Sequence, residues 1–201
     1  MLNNSTAALC RITHTAAQKA LLAWFDLLSE RGVYQNAQRI NGRAWRAELR
    51  RMEPPYGVMM CEGYNALRQQ LKHSMHLRTI DEMALALFVS VAVHIKSHQG
   101  QSSFAAQLGE KIDDRTSACV SALRFERLQK ATTPESFCQL LIRAVKIRGM
   151  NGVNILSLAD SLFLWMEEWQ RREEHQPEPT DPFKRNRIRW ANEYLTISHS
   201  K

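Results

Sequence analysis

Glycine and proline are scarce in this 201-residue chain, at 8 and 6 residues. Sandwiches and barrels need such residues at every turn, so their scarcity argues against an all-β fold. The four cysteines, Cys10, Cys61, Cys119 and Cys138, lie far apart and form no C-x-x-C pair. That spacing excludes a zinc ribbon and gives no support to a disulfide framework. No long apolar run is present either: Met83 to Val93 is the longest and contains Ser90. A membrane-spanning helix needs roughly 20 such residues. Met1 to Gln18 lack a basic-then-apolar signal pattern, so a soluble, cytoplasmic protein without membrane contact is expected.

Motifs for catalysis are missing as well. The chain has no G-x-S-x-G, no Walker-type loop and no G-x-G-x-x-G,. His94 with His98 and His73 with His76 have helical spacing, yet neither pair has a third ligand placed to complete a metal site. Paired carboxylates occur at Asp81-Glu82, Asp113-Asp114, Glu167-Glu168 and Glu173-Glu174. Neighbours on a helix point about 100° apart, so such pairs do not converge as acid and base. Asp113-Asp114 suits a helix N-terminus, and Glu167 to Glu174 a solvated face. Neither an enzyme nor a cofactor is expected.

Hydrophobic residues make up 44% and charged residues 23% of the chain, enough to bury a core,. The apolar spacing is helical almost throughout. Ala17, Leu21, Trp24 and Leu28 share one face of a helix that starts at a Thr15 cap and ends before Gly32. Trp45, Leu49 and Met52 face inward from a helix over Arg43–Met52, stopped by Pro54-Pro55. Met60, Tyr64, Leu67 and Leu71 mark the next. Thr79 with Glu82 suggests a capping box for a buried helix running to Ile95. A polar break at Ser97–Ser103 precedes Phe104 and Leu108. Arg115–Lys130 reads as a helix with Val120, Leu123 and Leu128 inward. Thr133-Pro134 starts another, with Phe137, Leu140, Leu141, Ala144 and Val145, ended by Gly149 and Gly152. Ile155, Leu158, Leu162, Trp165 and Trp169 mark a long amphipathic helix. A loop at His175–Pro182 leads to a last helix with Ile188, Ala191 and Leu195. The expected architecture is all-α, with a helical N-terminal half (1–100) packed on a C-terminal four- to five-helix bundle (101–201).

The net charge of +7 is localised: residues 38–52, 111–152 and 184–201 each carry +4, while 153–183 carry −5. Localised basic blocks suggest contact surfaces for a polyanion. Arg43, Arg46 and Arg50 form one helical stripe with Arg51 beside it. Arg124, Arg127 and Lys130 form a second, and Arg143, Lys146 and Arg148 a third on the following helix. Such spacing can neutralise successive phosphates without reading bases. The same region could be a helix-turn-helix, with Arg115–Lys130 and Pro134–Arg148 as its helices, which makes a helical DNA-binding transcriptional regulator the alternative. Phe137, Leu140 and Leu141 sit where base-reading polar side chains would belong, and that argues against it. The five tryptophans suit packing better than base stacking, with Trp169 and Trp190 the ones placed for an interface.

The series A-L-L-A-W-F at Ala20–Phe25, R-A-E-L-R-R at Arg46–Arg51, S-F-A-A-Q-L-G at Ser103–Gly109, R-F-E-R-L at Arg124–Leu128, Q-L-L-I-R-A-V at Gln139–Val145, L-A-D-S-L-F-L-W at Leu158–Trp165 and R-I-R-W-A-N-E-Y-L at Arg187–Leu195 resembles the CasB family. That family is the small subunit of the type I-E CRISPR surveillance complex, Cascade. The resemblance runs over about residues 17 to 197. It implies an all-α, non-catalytic protein, present as two copies lying head to tail beside the other Cascade subunits and the guide RNA. It also implies basic surfaces that hold the target and displaced DNA strands and stabilise the R-loop. Arg50, Arg51, Arg124, Lys130 and Arg143 match the family's basic positions, with lysine at 130 where arginine is usual. Arg127, Lys146 and Arg148 join them from spacing alone. The chain departs from the family in a longer acidic loop, Glu173–Asp181, and in a lead at Met1–Thr15.

Overall fold

The computed structural model describes residues 9–35, 38–112 and 117–199. These form an all-α fold of nine α-helices, with one small hairpin. Helix α1 (Thr15–Leu27) is followed by a two-stranded antiparallel hairpin, β1 (Val33–Gln35) and β2 (Gln38–Ile40). Then come α2 (Gly42–Leu49), α3 (Glu62–Lys72) and α4 (Thr79–Ala92). The second half holds α5 (Phe104–Gly109), α6 (Ala122–Gln129), α7 (Pro134–Arg148), α8 (Ile155–Glu173) and α9 (Asn186–Ser198). The hairpin has no counterpart in the periodicity, because three-residue strands are too short to show alternation.

Helix α4 is the centre. Every residue from Ala84 to Ala92 is buried, and it packs against α8, α7 and α3. Ser90, its polar exception, donates its hydroxyl to the Pro55 carbonyl at 3.0 Å, so no polar group is stranded there,. Its first turn is capped one residue earlier than the T-x-x-E pattern suggests. Asp81 accepts the Arg78 N–H at 3.0 Å and the Arg78 guanidinium at 2.8 Å, while Glu82 turns to Arg68. The apolar core is continuous from Ile12 to Tyr194.

Helices α1, α7 and α8 bury the faces their spacing predicts, though Leu140 and Trp169 are only half-buried. The Thr133 hydroxyl caps α7 by accepting the Ser136 N–H at 3.3 Å, with Pro134 in the first turn. Three faces are corrected. Met60 is exposed because it lies in a short 3-10 turn before α3. The helix expected over Arg115–Lys130 is described only as α6, with Val120 buried in the preceding loop, Phe125 inward and Leu123 exposed. Asp113-Asp114 and the start of that predicted helix lie outside the described residues. On α9 the buried face is Asn186, Trp190 and Tyr194, and Leu195 is exposed. Trp190 is therefore core: it is fully buried and donates its indole N–H to Ser161 Oγ at 3.0 Å.

Two buried polar knots tie the chain together. Asp160 Oδ1 accepts the backbone N–H groups of Cys10, Arg11 and Ile12 at 2.8, 2.6 and 2.9 Å, and Oδ2 meets Arg189 at 3.2 Å. Here the C-terminal part of the lead is strapped onto α8 and α9. In the second knot, Gln107 accepts the Asn154 N–H and donates to the Gln99 carbonyl. Gly109 permits α5 and α9 to cross closely: a Cβ there would sit 2.6 Å from the Tyr194 carbonyl oxygen.

Candidate nucleic-acid interface

The predicted basic residues separate into four groups. Arg51, Arg124, Arg127 and Arg143 are exposed, and none has a side-chain partner among the described residues. Lys130 is exposed but pairs with Glu126 one turn earlier, at 2.6 Å. Arg50 and Lys146 are exposed too and belong to a cluster described below.

Arg148 is a correction. It is 1% exposed, with Nε donating to the Gly152 carbonyl at 3.0 Å and Nη1 to Glu110 Oε2 at 2.8 Å. It also donates to the carbonyls of Gln107 and Asn151. The reason is positional: Gly149 and Gly152, both at positive φ, turn the chain back so that its carbonyls face the guanidinium,. Arg148 holds the end of α7 and is not available to a phosphate.

The stripe on α2 is fixed by backbone carbonyls. Arg43 Nε donates to Ser29 O at 2.7 Å, Arg46 Nη2 to Ile95 O at 3.3 Å and Arg50 Nε to Val93 O at 2.8 Å. The last two place guanidinium charge at the C-terminal end of α4, where a helix favours cations. Arg46 also lies over the Phe25 ring, 5.5 Å from its centroid. Burial, and then the neighbouring Arg50, pull Arg46 below the usual arginine range. A pocket of about 340 Å³ opens among Leu28, Ser29, Arg43, Arg46, Ala47 and Arg50.

His94 lies between these two contacts, flanked by Val93 and Ile95. Burial pushes its imidazole down to about 4, helped by Lys146 of α7 and then by Arg50 and Arg46. Residues from two separate basic blocks thus both act electrostatically on one half-buried ring. In the sequence His94 reads as half of an incomplete metal pair or as a half-buried histidine near a helix end, and Arg46 only as part of the α2 stripe, because no spacing rule links α2, α4 and α7. The other histidine of that pair, His98, has a structural place: Nδ1 accepts the Ile155 N–H at 3.2 Å. Among the described residues no three His, Cys, Asp or Glu side chains come together to hold a metal.

The third basic block is only partly neutralised, since Lys184 and Arg187 are exposed and have no side-chain partner among the described residues. Arg185 meets Glu178 at 2.6 Å and donates twice to the Pro179 carbonyl, so the acidic loop folds back on it. Arg189 is tied to Asp160. A larger cleft, about 860 Å³, lies between α6, α8 and α9. Its aromatic floor is already stacked on itself, Phe137 on Trp165 at 4.1 Å and Phe125 on Tyr194 at 4.0 Å. Of the predicted basic residues, the unpaired arginines lie on α6, on α7 and just after α2, and Arg187 of α9 adds another beside the cleft. No described helix is long and apolar enough to cross a membrane.

The family model of the CRISPR-associated protein Cse2 matches residues 45–195, a stretch that contains every one of these basic positions from Arg46 onward. No curated protein and no solved structure matches the chain. The match covers most of the sequence and agrees with the motif series and the all-α architecture. The chain belongs to the Cse2 family, also called CasB, the small subunit of type I-E Cascade.

Proposed function

We propose that this protein is a non-catalytic subunit of Cascade that holds the target and displaced DNA strands against basic helix faces and so stabilises the R-loop. The observation that carries the reading is the set of exposed arginines without partners, Arg51, Arg124, Arg127 and Arg143. Solvated cations fixed on helices neutralise phosphates and bind the strand through its backbone, whatever its sequence. The energetics suit the role. A guide–target heteroduplex is about as stable as the duplex it replaces, so contacts to strand backbones tip the balance. Lys130 contributes less than the arginines, because Glu126 already offsets its charge. The regulator reading gains nothing: the first turn of α7 carries Glu135 and buries Phe137 and Cys138, which leaves no base-reading surface there,.

The partners in this reading are the other Cascade proteins, the guide RNA, both DNA strands and a second copy of this chain. Native affinity purification from the source cell tests it. The expected result is a large complex containing a short RNA of uniform length and two copies of the chain. A free protein without RNA would contradict it.

A further inference from the structure

Resting on the nucleic-acid reading above, we propose that the cleft between α6, α8 and α9 is a second site for single-stranded DNA, held shut by the acidic loop over 173–181, whose Glu178 sits on Arg185 where a backbone phosphate would bind. The loop and its target share one cavity: Glu178 and Pro179 form part of its wall together with Lys130, Arg172, Arg185 and Arg187. Arg185 is wholly engaged by the loop. Its Nη1 meets Glu178 Oε2 at 2.6 Å, and Nε and Nη2 both donate to the Pro179 carbonyl, at 3.1 and 3.0 Å. An arginine fork takes a carboxylate and a phosphate by the same charge-assisted bonds. The chain thus lays an anion of its own on the cleft wall. The other acids there are already spent: Glu126 on Lys130, and Glu168 on the Asn186 N–H at 2.7 Å. Two cations are left over. Arg187 is exposed with no side-chain partner among the described residues; Arg172 is exposed, makes no ion pair among them and lies 5.8 Å over the Trp165 ring.

Two features make the loop displaceable. Its ends are fixed by the backbone: the Gln176 N–H bonds to the Arg171 carbonyl at 2.8 Å, and Asp181 accepts the Phe183 N–H at 3.0 Å. Between them, residues 177–180 make no hydrogen bond or ion pair among the described residues except those to Arg185. The second feature is exposure. The Glu178 and Arg185 side chains are 54% and 36% exposed, and an exposed ion pair favours the closed form by no more than about 5-fold. A strand offers successive phosphates to Arg185, Arg187 and Arg172 at once, against the loop's one carboxylate. Beside these cations Ile188 and Ala191 are half-buried and Leu195 is exposed, an apolar wall against which bases can lie. Helix α9 is therefore apolar on two sides: Trp190 and Tyr194 enter the core, and the Ile188 stripe is left for a ligand.

The test titrates a labelled oligothymidylate with the full chain over a series of salt concentrations. Glu178→Gln frees Arg185 and should bind about 3- to 5-fold tighter than wild type at low salt. Its salt slope should be steeper by roughly 0.7, the value for one more phosphate contact on a single strand. Glu173→Gln removes the same charge from the loop at a residue that does not line the cleft; screening should hold its effect below about 2-fold, with the slope unchanged. Adding Arg185→Gln to Glu178→Gln should erase both the gain and the extra slope. Circular dichroism checks that each variant keeps the wild-type helicity. A Glu178→Gln variant no tighter than Glu173→Gln, or a gain that survives the loss of Arg185, would overturn the gated site and leave the reading of the exposed arginines intact. No binding by wild type or by any variant would overturn both.

Discussion

Replacing Asp160 by alanine is expected to destabilise the fold by about 3–5 kcal/mol, the range for removing one member of a buried charged pair. The carboxylate is almost fully buried, accepts three consecutive backbone N–H groups from Cys10, Arg11 and Ile12, and faces Arg189. Alanine removes the shared partner: three donors lose their acceptor and a guanidinium that is mostly buried loses its nearer counter-charge, with only Glu193 left at 3.9 Å. The substitution Asp160→Asn keeps an acceptor for the lead but leaves Arg189 only the more distant Glu193, at 3.9 Å, as a counter-charge, so its loss should fall between wild type and Asp160→Ala. Urea unfolding with an unchanged slope measures both. A loss below about 1 kcal/mol for the alanine variant would mean that water replaces these bonds at little cost and that the knot is not a stabilising element.

Arg148→Ala should produce a loss of similar size, about 3–5 kcal/mol, for a related reason. The guanidinium fills a cage made by the carbonyls of Gln107, Asn151 and Gly152 and the carboxylate of Glu110. Removing it leaves those acceptors facing a hole where α7 meets the loop before α8. Arg143, five residues earlier on the same helix, is exposed and has no described partner. Arg143→Ala should change stability by no more than about 0.5 kcal/mol. The two variants therefore separate a structural arginine from a solvated one within a single helix, by urea midpoint alone. Equal losses in both would remove the distinction on which the interface is drawn.

Much of this fold could be read before any coordinates. Helices α1, α7 and α8 are long and their apolar residues recur at steps of three and four; α7 carries a capping Thr133 and a turning Gly149, whereas on α1 Thr15 is the first helical residue and His14, not Thr15, stands at the N-cap. Those signals are local, and local signals survive into the folded chain. Short elements failed where tertiary contacts decide. On α9, Trp190 and Tyr194 turn inward because Ser161 and the Val120 carbonyl offer partners for their N–H and O–H groups. Ile188, Ala191 and Leu195 make an equally apolar stripe but line the open cleft between α6, α8 and α9. Around Leu123 the described helix is only eight residues long, too short for periodicity to choose a face.

The interface shows the same division. Exposed arginines at helical spacing were visible as a stripe, and their basic blocks were visible as charge. Whether each arginine already had a partner was not visible. Arg148 stands two residues after Lys146, off the three-residue step of Arg143 and Lys146, and the glycines after it fold carbonyls onto its head group. Lys130 is offset by Glu126, a neighbour close enough in sequence that the pairing could have been anticipated. His94 with Lys146 could not, because 52 residues separate them and only the packing of α4 on α7 brings them together.

The most direct test of the central claim is the R-loop lifetime of assembled Cascade carrying the triple variant Arg124→Glu, Arg127→Glu and Arg143→Glu. All three side chains are exposed and without described partners, so complex assembly and helicity should be unchanged. Each lost phosphate contact lowers the salt slope of binding by roughly 0.7 to 0.9. Reversal of three charges should therefore shorten the lifetime by at least about 10-fold, and the difference should shrink as salt rises. An unchanged lifetime in a fully assembled variant complex would contradict the claim that these helix faces hold the DNA.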